Sequence, residues 1–462
     1  MTTRRPKLPN SALAALLTTH GISHKSLAFR VNQLAAKRSM KTSYNHSSVS
    51  RWLGGSVPQA PVPQLIAQAF TERIGRTVTV EEIGMGAVAD GAVVGWDFPR
   101  DRHEALIHVQ AYWGTPGRPA GRFAVNGYHV AVTRWLAVPS DRFEWSDDLQ
   151  GQRIGQAETD ELRHAVEQAR SWDMQFGGGN WRMASVTECL RERALPLLSG
   201  AHPEDIGRQL FSITAELTRV VAWAAFDNGD SAAAQQHFIQ ALRLARAGQD
   251  VEMGTYVLAT MALHTVLEGA PDEALDMAQG AFNQGRHHAS RRVLAFAKLA
   301  EARALARLGD STGATTALSR AESWLEKIDT ETRDPLWVSY VTPTRLAADA
   351  VEIFRDLRKP KTALTWNEQA EENADTTAAR PLGLRLATAA IAACQARDLD
   401  RAVHYTQQSV DLLMRVNSAR ARTSLRDVAA ALSPWAAEKP VRDLIERLGQ
   451  ATVPRAQPAA AL

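Results

Sequence analysis

From Asn45 to Gly55 the sequence reads NHSSVSRWLGG. An imidazole (His46), three hydroxyls (Ser47, Ser48, Ser50) and a guanidinium (Arg51) are gathered there around Val49 and Trp52. The chemistry such a set performs is hydrogen bonding. Short or flexible donors near the start of a helix fit a groove and reach base edges or phosphates. The same residues suit a second reading, in which serines cap a helix and Gly-Gly ends it. Bond-making chemistry has no comparable signal: no nucleophile elbow, Walker lysine, His-Glu-x-x-His or paired-carboxylate motif occurs. The chain is therefore not expected to be an enzyme.

Other candidate chemistry is thin. Cys189 and Cys394 are the only cysteines, which excludes a cysteine-based zinc site and points to two small buried hydrophobes. His287-His288 has no carboxylate or cysteine companions at ligand spacing, so no metal or other cofactor is expected. GGGN at 177–180 has neither a following Gly-Lys-Ser/Thr nor a preceding strand pattern, and reads as a helix-entry turn rather than a phosphate loop.

The elements that must position HSSVSR lie in a basic head. Residues 1–76 carry eleven Lys or Arg against one acid, Glu72, for a net +10, which leaves −7 on the remaining 386 residues. A basic head on an acidic body suits a chain that presents one end to a polyanion. Arg4, Arg5 and Lys7 before it suit either an arm that tracks the DNA backbone or minor groove or a solvated disordered tail. Periodicity predicts four helices. NSALAALLTTHG has Asn10 or Ser11 as N-cap, Leu13, Leu16 and Leu17 on one face, and Gly21 beyond its end. SHKSLAFRVNQLAAKR starts at Ser23 with Leu27, Ala28, Val31, Leu34 and Ala35 inward. The third runs from His46 to Leu53, capped by Asn45, and buries only Val49, Trp52 and Leu53. The fourth, PVPQLIAQAFTERIG, turns Leu65, Ile66, Ala69 and Phe70 inward.

The order LA…V…SSVSRWLGG…P…LIAQAF resembles the helix-turn-helix domain of the Cro/repressor-like (XRE-type) class over roughly residues 10–76. More closely, it resembles actinomycete transcriptional regulators that join such a head to tetratricopeptide-type repeats. The link from Leu34 to Tyr44 is longer than the tight turn usual in this class. The resemblance implies contact with double-stranded DNA, with His46, Ser47 and Arg51 at base edges and Ser48 and Ser50 at phosphates. Ser23, Lys25 and Lys41 complete the expected DNA-binding set.

Residues 77–202 read as a connecting, mainly helical region, with helices starting near Pro99 and covering Glu158 to Ala169. ARSWDMQFGGGNWRMASVTECLRERALPLL resembles the segment that precedes the repeats in the same regulators. Residues 203–450 read as helical repeats. Anchors at Gly229, Gly269, Gly309, Arg358 and Arg397 are spaced by 40, 40, 49 and 39. Five residues past each stands alanine (234, 274, 314, 363, 402), and twelve past each Ala241, Ala281, Ala321, Ala370 and Ser409. Small residues there let two antiparallel helices approach after a tight turn. The pattern resembles lengthened tetratricopeptide repeats and predicts a right-handed α-solenoid of about five repeats with a concave groove. Residues 451–462 are expected to be a disordered tail.

The expected fold is all-α: a helix-turn-helix bundle, a helical region and a tetratricopeptide-like solenoid. Tyr256, His264, Arg291, Trp337 and Tyr340 are candidates to line the groove. The expected function is sequence-specific DNA-binding regulation, with a repeat domain that mediates homodimerisation and senses a peptide, protein or small-molecule effector. The alternative is a repeat-based scaffold with a weak or vestigial DNA-binding head. No window spans a bilayer and the N-terminus lacks a signal-peptide core, so a cytoplasmic location without membrane partners is expected.

Overall fold

The computed structural model describes residues 10, 13, 16–17, 20–37, 40, 42–54, 56, 58, 61–74, 78, 83, 96–114, 123–137, 154–176, 178, 182–200, 202–328, 334–372 and 379–452. Ser11, Lys41, the arm through Lys7 and residues 453–462 of the expected tail lie outside the described residues. Within them the fold is all-α, with no strand, and no helix is long and apolar enough to cross a membrane. The chain divides into two compact units, 1–93 and 94–462.

The first unit closes one small core. Asn10 fixes the start of the first helical turn by accepting from the Leu13 amide (2.9 Å), and its own side chain donates to the Ile83 carbonyl (3.0 Å). Helix α1 (His24–Lys37) buries Leu27, Ala28, Val31, Leu34 and Ala35. Helix α2 (His46–Leu53) buries Val49 and Trp52, and α3 (Val62–Ile74) buries Leu65, Ile66, Ala69 and Phe70. Val78 and Ile83 join this core, beyond the charge boundary at residue 76. Asn32 spans the long link between α1 and α2: its side chain donates to the Tyr44 carbonyl (2.8 Å) and accepts from the Tyr44 amide (3.0 Å) and the Thr42 hydroxyl (2.9 Å). One half-buried side-chain amide thus replaces the tight turn, and Tyr44 packs edge-on to Trp52 at 5.2 Å.

The second unit begins with α4 (Arg102–Trp113), α5 (His129–Ala137), α6 (Gln156–Phe176) and α7 (Arg182–Cys189). A π turn at Leu190–Ala194 leads from α7 into α8 (Leu195–Ser199), where Pro196 removes a helical donor. Six antiparallel pairs follow: α9 (Glu204–Asp227) with α10 (Ser231–Ala247), α11 (Val251–Leu267) with α12 (Pro271–Gly285), and α13 (Arg291–Leu308) with α14 (Ser311–Glu326). Then come α15 (Pro343–Asp356) with α16 (Pro360–Glu372), α17 (Ala379–Ala396) with α18 (Leu399–Leu413), and α19 (Ala419–Leu432) with α20 (Lys439–Ala451).

The five anchor positions are the turns inside the first five pairs. Gly229, Gly269 and Gly309 have φ of +88°, +84° and +80°, and Arg358 and Arg397 adopt +55° and +59°. Each closes a left-handed cap in which the next residue's amide bonds back five residues, as Asp310 does to Leu305 (3.0 Å) and Asp398 to Ala393 (3.0 Å). The residues five and twelve past each anchor are all fully buried where the paired helices meet. Ser409 meets the same constraint by donating its hydroxyl to the Gly383 carbonyl at 2.8 Å. The sixth pair turns through a 3₁₀ segment, Ser433–Trp435, with right-handed φ and ψ, so it carries no anchor of the same kind.

The described residues between 96 and 199 pack onto this array as part of its unit. The Gln235 side chain bonds both the amide (3.1 Å) and the carbonyl (2.7 Å) of Ala124, and Arg246 donates to the Arg134 carbonyl (2.7 Å). Gly254 lies where any Cβ would collide with the Trp135 ring. The array also curls back on itself. Asp227, at the end of α9, accepts from Ser418 Oγ (2.7 Å) before α19, from Arg380 (3.1 Å) at the start of α17, and from the Gly178 amide (2.9 Å). Gly178 sits against the Ala224 backbone so closely that a side chain there has no room.

Candidate functional site

On α2 the narrow apolar stripe predicted from sequence leaves His46, Ser47, Ser50 and Arg51 exposed. Asn45 caps the helix by accepting from the Ser47 (3.0 Å) and Ser48 (3.1 Å) amides. Ser48 completes a capping box, its hydroxyl accepting from the Asn45 amide at 3.3 Å. Ser48 is therefore buried and occupied, which corrects its assignment as a phosphate contact: it stands at the third helical position, where the hydroxyl turns back to the cap. Ser50 is exposed, with its hydroxyl donating to the His46 carbonyl (3.1 Å).

The start of α1 lies beside this face, with His24 Nδ1 at 3.5 Å from Ser50 Oγ. Ser23 caps α1 by accepting from the Ser26 amide (3.2 Å), and Lys25 is exposed within its first turn. The single acid among residues 1–76, Glu72, is held by Arg30 (Nε–Oε2 2.9 Å). The Arg30 hydrogen bond keeps the Glu72 carboxyl below its ordinary range. Among the described residues, the polar contact of the Arg51 guanidinium is Ser48 Oγ at 3.5 Å. Among the described residues no carboxylate pairs with Arg51, which stands on an exposed helix face together with two hydroxyls and an imidazole. Such a surface can donate to phosphates and base edges. Lys41 lies outside the described residues.

The second unit encloses a cavity of about 640 Å³. The first helix of each of the first five pairs contributes to its wall, as does α6, from the region expected to be a connector. The structure brings Tyr256, Trp337 and Tyr340 together there: the Tyr256 and Trp337 rings lie 4.7 Å apart, tilted by 30°, and the two tyrosine hydroxyls meet at 3.0 Å. His264 and Arg291 do not line it. His264 is fully buried among Phe226, Phe238 and Tyr128, with Nδ1 bonded to the Tyr128 hydroxyl (2.9 Å) and Nε2 at 3.7 Å from the Glu268 carboxylate. Burial, with the Arg420 charge second, depresses its pKa to about 3 and keeps it neutral. Arg291 is half-buried at the start of α13.

Sequence reasoning missed Arg219, Trp223 and Phe296 and the arginines 170, 345 and 380, all of which line the cavity. Arg219 and Trp223 are one turn apart on α9, a spacing that places them on one face. That α6 and α9 would meet over this cavity had no local signal. Residues 13–86 are similar to the SP15 N-terminal domain, a match that takes in α1, α2, α3 and the core positions Val78 and Ile83 but only a minor part of the chain. No curated protein matches the chain.

Proposed function

We propose that the chain is a sequence-specific, double-stranded-DNA-binding transcriptional regulator of the cytoplasm. Its head reads DNA, and its repeat body forms the homodimer and receives an effector. The observation that carries this reading is the solvent face of α2. His46, Ser47, Ser50 and Arg51 stand exposed on a helix held from behind by Val49 and Trp52, in a segment of net charge +10. Arg and short polar side chains on an exposed helix suit major-groove contact, and the neighbouring N-terminus of α1 with Lys25 suits the phosphate backbone. Two heads on one operator require a spacing of about 34 Å or a multiple, which a dimerising body would supply.

Selection of genomic duplex fragments by the full chain tests the reading. A shared half-site motif is expected, with affinity falling about 10³- to 10⁵-fold between 50 and 200 mM salt for a dimer making about 6 to 10 phosphate contacts. Retention of fragments without a common motif, or indifference to salt, would overturn it.

A further inference from the structure

The cavity of the second unit has a composition that selects among ligands. Its apolar wall is aromatic: Trp223, Tyr256, Phe296, Trp337 and Tyr340. Four arginines also reach it, and three of them stand within ion-pair distance of a carboxylate. Arg345 is bonded to Asp349 (2.9 Å), Arg380 to Asp173 (2.9 Å) and Asp227 (3.1 Å), and Arg170 faces Glu216 at 3.3 Å. Arg219 is different. Its guanidinium stands 5.0 Å over the Tyr256 ring, no carboxylate among the described residues forms an ion pair with it, and its Nε is buried without a hydrogen-bond partner.

A buried donor left unmade destabilises the empty protein, and an anion that reaches it removes that penalty. The number of charges is limited in turn. Among the described residues Arg219 is the lining arginine without an ion pair, and one such cation, with the carboxylate of Glu167 also in the wall, matches a single negative charge and disfavours di- or triphosphates. The volume, about 640 Å³, lies within the range of small-molecule sites and suits a body of two or more rings. Flat aromatic walls such as the Tyr256–Trp337 pair favour a planar partner.

We propose that this cavity binds a planar, largely apolar aromatic or conjugated molecule bearing one carboxylate or equivalent monoanion. The anion lies at Arg219 and the body lies along Tyr256 and Trp337. This inference deepens the effector part of the function proposed above, and it rests on the cavity alone, not on the head.

A pair of fluorescent probes tests it on the full chain in the absence of DNA: anilinonaphthalene sulfonate and the same ring system without its sulfonate, phenyl-naphthylamine. The wild-type chain is expected to bind the sulfonate saturably at one site, more tightly than the neutral ring, with quenching of tryptophan emission. Arg219→Met should weaken the sulfonate about 10- to 100-fold, the range of one charge-assisted hydrogen bond, and leave the neutral ring within about threefold. Trp337→Ala should weaken both. Circular dichroism checks that each variant folds, and Arg219→Gln replaces the methionine variant if that one does not. Equal affinity of the wild type for the two probes, or sulfonate binding unchanged in a folded Arg219 variant, overturns the proposal. Because the titration contains no DNA, its failure leaves the reading of the head intact, and a head indifferent to DNA leaves the titration unaffected.

Discussion

Arg380, at the start of the fifth helix pair, donates across 3.1 Å to the carboxylate of Asp227, the last residue of the first helix of the first pair, although the two residues lie 153 positions apart. Asp227 is fully buried and Arg380 nearly so. The same guanidinium reaches Asp173 of α6 at 2.9 Å. This hub turns a row of helix pairs into a closed-up body with a lined cavity.

Removing one partner of such a pair strands the other. Asp227→Ala is expected to cost about 3 to 5 kcal/mol of unfolding free energy in urea titrations. The double variant with Arg380→Met should recover part of that loss. A single variant as stable as the wild type would show that the hub is not a structural lock.

The left-handed turns allow a cleaner test. A Cβ at Gly309 would touch nothing within 4 Å, yet φ is +80°. Gly309→Ala should therefore cost about 1 to 2 kcal/mol from backbone strain alone, seen as a shifted denaturation midpoint at unchanged slope. At Arg397, where φ is +59° with a side chain already present, substitution by glycine relieves strain and should leave stability unchanged or slightly higher.

For the head, Arg51→Ala should weaken specific DNA binding by about 1 to 3 kcal/mol and relax the preference at one base position, whereas Lys25→Ala should weaken all duplexes alike. Competition titrations with operator and random DNA separate the two. Equal losses on both for Arg51→Ala would make it a phosphate clamp. Asn45→Ala, which removes the cap under this face, should cost about 0.5 to 2 kcal/mol of stability.

His264 predicts an acid-side pH dependence. Its folded pKa of about 3 lies below the ordinary 6.5 because burial penalises the charged ring. On acidification below about pH 6.5 the unfolded chain takes up a proton that the folded chain refuses. The contribution is thus fully present above pH 6.5 and is lost progressively towards pH 3, at about 1.4 kcal/mol per unit. His264→Gln keeps an acceptor for Tyr128 and does not titrate. Its stability profile should be flatter than that of the wild type over this range, and parallel profiles would exclude His264 as the cause.

Local sequence determined the helices, their inward faces and the turns between them. Leu27, Ala28, Val31, Leu34 and Ala35 are the buried face of α1, and the small residues five and twelve past each anchor are the contacts within each pair. Both follow from chain periodicity and sterics that act within about forty residues, which a sequence records directly. The exposed polar face of α2 was legible for the same reason, because a stripe of only Val49, Trp52 and Leu53 cannot bury its neighbours. Tertiary structure decided the rest. Whether Ser48 faces a ligand or its own helix cap depends on the Asn45 backbone, and His264 went to the core because Tyr128, 136 positions away, meets its ring. The cavity arises where α6 meets the first helices of the first five pairs, and the curl joins Asp227 of α9 to Arg380 of α17. A buried ion pair is specified by two residues that share no local pattern, so only the packed chain reveals that they meet.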